Sequence, residues 1–290
     1  MASVDTNGTR FEYVEQGKGE PVVFVHGSIS DYRTWRFQQE EFSKRFRAIA
    51  YSRRYHWPNE QIPEGVDYSM TGQVDDLQAL LQALDAVPAH LVGNSYGAFL
   101  CLLLAIRQPR LARTLVLAEP PVLPLFVSIP PKPKEILKLL VIRPRTAVAI
   151  MKFGATGIGP ATAAFRRGDM EAGMRLFGTA VLGREFYRRL PQSRLEQVRV
   201  NLNPFKAELL GSGFPPLSAE QVSSVQIPTL FVTGQRSPGF LLRLTDRLQE
   251  LLPHAERIEI RGTSHLMHED SASAYNAAVL SFLARNHQAA

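Results

Sequence analysis

The chain has 290 residues, of which 45% are apolar and 21% are charged, and its formal net charge is +6. This composition is typical of a globular protein with a sizeable core, and it excludes disordered and fibrous classes. The single cysteine, Cys101, excludes an internal disulfide and a cysteine-based zinc site.

Short runs rich in Val, Ile and Leu, each closed by a turn residue, predict strands that are buried on both faces of a parallel sheet. In chain order these runs are Pro21–His26, Arg47–Tyr51, His90–Gly93, Thr114–Ala118, Thr229–Thr233 and Arg257–Ile260. An earlier segment, Arg10–Glu15, predicts an antiparallel strand at the edge of the same sheet.

Segments with helical periodicity separate these strands. They are Thr34–Phe46, Met70–Ala86, Ser95–Gln108, Phe240–Leu252 and Ala272–Arg285. Alternation of strands and helices implies an α/β fold, a mostly parallel sheet with helices on both faces.

The segment from Pro120 to Pro216 interrupts this alternation. It opens with several prolines, predicts helices at Glu135–Ile142, Arg145–Phe153 and Asp169–Leu182, and contains no strand candidate. It also carries 15 basic and 6 acidic residues, or +9, whereas the rest of the chain carries −3. We therefore expect a basic helical cap, residues 120–216, inserted into a core formed by residues 1–119 and 217–290. No nucleic-acid-binding motif accompanies the charge, so nucleic acid is not an expected partner.

A glycine-flanked serine marks the candidate reaction site. Gly93-Asn94-Ser95-Tyr96-Gly97 follows a predicted strand and opens an apolar helix, which is the context required of a nucleophile elbow. Such a sharp turn would present the Ser95 hydroxyl at a helix N-terminus, where backbone N–H groups stabilise an anion. Cys101 falls on the buried helix that follows, where packing is the expected role.

A serine hydroxyl needs a base to take its proton. His265 follows the last predicted strand and precedes the last helix. Loops at the carboxyl ends of parallel strands meet at one edge of a sheet, so Ser95 and His265 could meet there. His268 in the same loop is a competitor with an expected packing role, and His90 and His254 are expected to be exposed.

Together these motifs resemble the α/β-hydrolase superfamily. His26-Gly27 after the third strand, the elbow at Ser95 and Gly-Thr-Ser-His ending at His265 occur in that family's order. The resemblance covers essentially the whole chain and implies an eight-stranded sheet with a helical cap. It implies Ser95 as nucleophile and His265 as general base. It also implies an oxyanion hole formed by the backbone N–H groups of Tyr96 and Ser28.

The family's usual acid is missing. Its aspartate follows the strand that ends near Gly234, but here the residues are Gln235-Arg236-Ser237-Pro238, and the next carboxylate, Asp246, lies in a predicted helix. Some family members use an acid after the preceding strand, where this chain has Glu119. A carboxylate at an apolar strand end is costly unless it is paired, so Glu119 is our candidate. A Ser–His dyad is the alternative.

A second departure lies at Tyr51–Pro58, where relatives often carry an aspartate and glycines. This chain has two arginines, Arg53 and Arg54, which we interpret as bracing the loop against core carboxylates. Because the loop should border the mouth of the site, the candidate substrate-binding residues are His26, Gly27, Tyr55, His56 and Trp57.

The sequence thus predicts a serine hydrolase that cleaves a carboxylic ester or lactone of a hydrophobic small molecule. A carbon–carbon bond hydrolase or lyase with the same residues, and a catalytically silent ligand-binding protein, stay open. No cofactor or metal is expected, and homodimerisation is left open. The longest strictly apolar stretch, Ala98–Ile106, is too short to span a bilayer, and no secretory signal is visible. We therefore expect a cytoplasmic protein without stable membrane insertion.

Overall fold

A computed structural model describes residues 1–287. One eight-stranded sheet forms its centre, with strands in the order β1-β2-β4-β3-β5-β6-β7-β8. Only the β1–β2 and β2–β4 pairs are antiparallel. The strands are β1 Ala2–Thr6, β2 Thr9–Gln16, β3 Pro21–Val25, β4 Arg47–Tyr51, β5 Ala89–Asn94, β6 Ala112–Ala118, β7 Thr229–Gly234 and β8 Glu256–Ile260. The predicted fold class is confirmed.

One strand prediction was wrong in position. The Arg10–Glu15 strand, β2, is not at the edge, because β1 pairs along its outer side from Ala2 to Thr6. The sequence of β1 lacks an apolar run, and none of its five residues is fully buried. A strand of this kind produces no hydrophobic signal that could be found beforehand.

Helices flank the sheet and fill the interval between β6 and β7. They are α1 Arg36–Phe42, α2 Met70–Ala83, α3 Tyr96–Arg107, α4 Pro133–Ile142, α5 Pro144–Phe153, α6 Gly159–Arg166, α7 Met170–Leu182, α8 Arg184–Arg188, α9 Gln192–Val200, α10 Leu202–Leu210, α11 Ala219–Ser223, α12 Gly239–Leu251, α13 Met267–Asp270 and α14 Ala272–His287.

Both faces of the sheet are buried, as the unbroken apolar strands indicate. Along β3, Val23 and Val25 belong to one hydrophobic cluster, whereas Val22 and Phe24 belong to the cluster on the opposite face. Cys101 lies in the first of these clusters, and burial raises the pKa of its thiol. The sheet is therefore a rigid platform whose carboxyl edge can hold a site.

The described residues of the cap segment, residues 120–216, form helices and a π-helical turn, Gly154–Ile158, without a strand. Helices α6, α8, α9 and α10 were not predicted. The continuous helical run Pro144–Arg166 is long and apolar enough to cross a membrane by length and composition alone, and 28% of its apolar window is buried. This run is not an uninterrupted apolar stretch, so the length of such stretches in the sequence does not predict it. A single helix of this kind is weak evidence, and we infer no insertion from it.

Polar contacts attach the cap segment to the rest of the chain. Arg143 pairs with Glu250 at 2.6 Å, and Arg194 lies 3.2 Å from Glu269. Asp31 accepts hydrogen bonds of 2.8 Å from the side-chain amides of Gln197 and Asn201. The basic cap segment and the acidic remainder are thus partly complementary in charge.

Candidate active site

Ser95 occupies a strained turn at the carboxyl edge of the sheet. It stands between the last residue of β5 and the first residue of α3, with φ +53° and ψ −120°. Its N–H donates a 2.8 Å hydrogen bond to the carbonyl oxygen of Ala118 on the neighbouring strand. Residues other than glycine rarely adopt this backbone conformation, and such strain is concentrated at functional sites.

The two glycines of the motif are required by close backbone contacts. A Cβ atom on Gly93 would lie 2.5 Å from Ala98 Cα, and one on Gly97 would lie 2.1 Å from the Val25 carbonyl oxygen. Both distances are far inside van der Waals contact. The turn can therefore pack against β3 and α3 only because these positions carry no side chain.

His265 is held by Glu119. The Nδ1 atom of His265 lies 2.6 Å from Glu119 Oε2, and the other carboxylate oxygen, Oε1, accepts a 2.9 Å hydrogen bond from the Gly234 N–H. Both side chains are buried. Glu119 has φ +47°, an unusual value for a residue other than glycine, directly after β6. The carboxylate thus reaches across the end of β7, where the family's aspartate is absent.

The other acid considered, Asp246, lies elsewhere. It is 2.8 Å from Arg257 on the surface and is 40% exposed. The loop that carries His265 is fixed separately. Asp270 accepts hydrogen bonds from the N–H and the hydroxyl of Ser264, and Asn94 donates to the His265 carbonyl oxygen at 3.2 Å.

Two cavities meet at Ser95 and His265. Ser28, Ser95 and His265 line both of them. The Nε2 atom of His265 is buried, and no group in the described part of the chain forms a hydrogen bond with it. This nitrogen is therefore available to a hydroxyl proton, while Nδ1 is occupied by Glu119. Gly27 lines the first cavity, and Tyr96 lines the second.

Cap helices supply the apolar walls. Phe177 and Val181 of α7 line both cavities. Two charged cap residues that the sequence analysis did not single out also reach them, Arg194 in the first cavity and Glu208 in the second. Glu208 is a single carboxylate in an apolar stretch, which is a weak signal. Nothing local distinguished Arg194 from the other arginines of the cap segment.

The two loop arginines have different partners. Arg54 pairs with Asp76 of the core at 2.5 Å, as expected. Arg53 is almost fully buried and pairs at 2.6 Å with Glu208 of the cap segment rather than with a core carboxylate. Burial raises the pKa of Glu208, but Arg53 and His56 outweigh that effect, and the net pKa is lowered.

Four of the five candidate substrate-binding residues do not line either cavity, so that expectation is corrected. The His26 ring is fully buried and bridges the Gly27 carbonyl oxygen and the Arg53 N–H. His56 contacts the Ser30 carbonyl oxygen at 2.8 Å. Burial, followed by the charge of Arg53, lowers the pKa of both histidines.

The aromatic residues of the same loop line neither cavity and pack against other side chains. Tyr55 packs edge-on against Tyr68, and Trp57 stacks on Tyr32 with the Arg33 guanidinium 3.7 Å from its ring centre. His90, expected to be exposed, is buried on β5 and contacts the Thr114 hydroxyl at 2.9 Å. Local sequence did not distinguish these packing roles from ligand contacts.

His268 is buried, as its expected packing role requires, and contacts the Thr34 hydroxyl at 2.9 Å. Among the described residues no group of three or more His, Cys, Asp or Glu side chains could hold a metal ion.

Comparison with known proteins establishes the family of the chain. Residues 22–278 match the profile of the alpha/beta hydrolase family. The chain belongs to the alpha/beta hydrolase family. The matched residues include the Ser95 turn and the His265 loop.

Curated relatives match over one segment. A 2-hydroxy-6-oxo-2,4-heptadienoate hydrolase of Pseudomonas putida is 39% identical over 104 residues, or 35% of this chain and 37% of the relative. Epoxide hydrolase 2 of Caenorhabditis elegans is 31% identical over 121 residues, or 41% of this chain and 34% of the relative. The chain thus aligns with little more than a third of the length of these relatives.

Structural similarity extends further. The enol-lactonase from Burkholderia xenovorans LB400 superimposes with a TM-score of 0.74 over 98% of this chain and 100% of that chain, at 18% identity. At this identity the likeness shows the fold alone. The chain thus shares its family with the alpha/beta hydrolases and its fold with this enol-lactonase.

Proposed function

We propose that this enzyme is a serine hydrolase that cleaves a carboxylic ester or lactone through an acyl-enzyme. One observation carries the proposal. His265 Nδ1 is held by the Glu119 carboxylate, its Nε2 atom has no hydrogen-bond partner among the described residues, and His265 lines the same two cavities as Ser95. This is the arrangement that a serine nucleophile, a base and an orienting acid require.

In the proposed reaction Ser95 Oγ attacks the carbonyl carbon as its proton moves to His265 Nε2. Glu119 keeps the other ring proton on Nδ1 and stabilises the imidazolium that forms. The negative charge on the carbonyl oxygen is met by backbone N–H groups of Tyr96 and Ser28, and each such donor is worth about 3–4 kcal/mol at the transition state. His265 then protonates the leaving alkoxide. Water attacks the acyl-enzyme as its proton moves to His265 Nε2, and His265 returns that proton to Ser95 Oγ when the acid leaves.

A fluorophosphonate probe and a panel of p-nitrophenyl esters and lactones test this proposal. The protein should be labelled at Ser95 and should turn over at least one member of the panel, and Ser95→Ala should lose both properties while keeping its circular dichroism spectrum. Folded protein that neither takes the label nor hydrolyses any substrate would instead support the catalytically silent ligand binder.

Hydrolysis of a carbon–carbon bond by the same side chains is a second candidate. The segmental similarity to 2-hydroxy-6-oxo-2,4-heptadienoate hydrolase favours it. A direct assay with 2-hydroxy-6-oxo-2,4-heptadienoate as the substrate, followed by the absorbance of that dienoate, separates the two candidates. Turnover of the dienoate with no ester or lactone hydrolysis would replace our first proposal.

A further inference from the structure

At the catalytic cavity, two of the three guanidinium nitrogens of Arg194 have no hydrogen-bond partner among the described residues. Arg194, in the first turn of α9, is 7% exposed, and its Nε and Nη1 atoms are buried without a hydrogen bond in the described part of the chain. Its Nε atom lies 3.2 Å from Glu269 Oε1, so the charge has a neighbour but no aligned acceptor. Unsatisfied buried donors on a charged group are costly and rare, and each one calls for an explanation.

The position of Arg194 supplies that explanation. It lines the first cavity together with Ser95 and His265. Ser30 lines the same cavity, and its hydroxyl is buried without a hydrogen-bond partner among the described residues. Two residues with such polar atoms, one of them cationic, therefore line a cavity whose cap wall otherwise consists mainly of apolar residues such as Met174 and Leu182.

The second cavity, in contrast to the first, is apolar. Its lining is mainly aromatic and aliphatic, including Phe153, Phe205 and Phe240. Its one carboxylate, Glu208, is already paired with Arg53 at 2.6 Å. The catalytic serine therefore stands between a compartment with an available cation and an apolar compartment.

We propose that Arg194 and Ser30 form a carboxylate-binding subsite, and that the substrate is an ester or lactone that carries a free carboxylate. This inference rests on the serine hydrolase proposed above. A planar carboxylate matches the fork of N–H groups on a guanidinium, and such charge-assisted bonds are the strong ones. The Glu269 carboxylate beside Arg194 repels a doubly charged phosphate more than a singly charged carboxylate. The apolar remainder of the substrate then lies in the second cavity.

Glu269 allows a test of the direction in which the preference for charged substrates changes. It competes with a substrate carboxylate for the same guanidinium, so Glu269→Gln should raise the preference for charged substrates, whereas Arg194→Gln should lower it. If the pair only attached α9 to the core, both substitutions would break the same contact and act in the same direction.

Two matched substrate pairs measure the preference, because the carboxylate can lie on either side of the scissile bond. One pair is mono-4-nitrophenyl adipate and its methyl ester, and the other is 4-acetoxybenzoate and its methyl ester. The readout is the ratio of kcat/KM for the charged and the neutral member. In at least one pair Arg194→Gln should lower this ratio roughly 10- to 100-fold, the range for hydrogen bonds to charged groups.

Controls separate the subsite from general effects. Arg194→Lys should restore part of the ratio, because charge remains without the planar fork. Arg167→Gln removes an exposed cap arginine and should leave the ratio unchanged. Competition by monomethyl glutarate and dimethyl glutarate in unmodified enzyme needs no variant, and the monoanion should inhibit more strongly.

The proposal is overturned if the ratio is unaffected by Arg194→Gln in both pairs, if Glu269→Gln lowers it, or if the glutarate diester inhibits at least as well as the monoanion. Hydrolysis of the neutral esters and labelling by fluorophosphonate report the serine hydrolase activity separately. A protein that passes those two tests and fails the ratio test is a serine hydrolase without this subsite.

Discussion

The buried ion pair between Arg53 and Glu208 offers the sharpest test of how the cap segment is attached. The two side chains are 1% and 3% exposed and 2.6 Å apart, and 155 positions separate them in sequence. Arg53 also donates to Gln73 and, at 3.0 Å, to the Gly27 carbonyl oxygen beside the site. Glu208 otherwise contacts only His56, at 3.4 Å, among its described partners.

These partners set the expected magnitudes. Removal of one member of a buried pair costs about 3–5 kcal/mol, because an uncompensated charge stays behind. Glu208→Leu should fall near the low end, since Arg53 keeps two neutral acceptors. Arg53→Met should fall near the high end, since Glu208 keeps only a distant histidine. The double variant, Arg53→Met with Glu208→Leu, should be less destabilised than the sum of the singles by about 3 kcal/mol.

Urea denaturation at pH 7.5, followed by circular dichroism, gives the free energies of unfolding for this cycle. Arg54→Met with Asp76→Leu is the control cycle, because that pair braces the same loop within the core and is more exposed. A second measurement at pH 5.0 should find Arg53→Met less destabilised than at pH 7.5, because acid neutralises the unpaired Glu208. The reasoning is refuted if the singles add to the double within about 0.5 kcal/mol, or if each single costs less than about 1 kcal/mol.

Three further predictions concern the site and the core. Glu119→Gln should lower kcat by roughly 10⁴-fold on triad precedent, and near-full ester hydrolysis would reject the acid assignment. Gly97→Ala should destabilise the protein by about 1–3 kcal/mol through overpacking, whereas Gly154→Ala, where a Cβ meets nothing within 4 Å, should not; equal midpoints in urea would contradict this. Burial lowers the pKa of His26 and His268 well below the ordinary value, so only the unfolded chain takes up their protons as pH falls below 6.5. The contribution of these two histidines to the free energy of unfolding is complete above that pH and should shrink by about 1.4 kcal/mol per histidine at pH 5.5. Unfolding curves at pH 7.5 and pH 5.5 would measure this loss. Curves that coincide would argue against it.

Sequence alone determined the parts of this alpha/beta hydrolase fold whose signals are local. The apolar runs of β3 to β7 and the glycines around Ser95 each reflect a constraint within a few residues, since buried strands require apolar side chains and a tight turn requires glycine. His265 followed from the rule that loops after parallel strands share an edge. Glu119 followed from the family resemblance, because some members use an acid at that position and the Gln235–Pro238 segment contains none.

Tertiary structure alone decided which polar groups are buried and which face the cavities. The sequence predicts that Arg53 pairs with the core and that His56 and Trp57 contact the substrate, and it does not distinguish Arg194 from other cap arginines. Each of these residues takes its role from the docking of α9 and α10 over the sheet, through contacts between positions more than a hundred residues apart. Local periodicity records which face of a helix is apolar, but it does not record which partner that face meets.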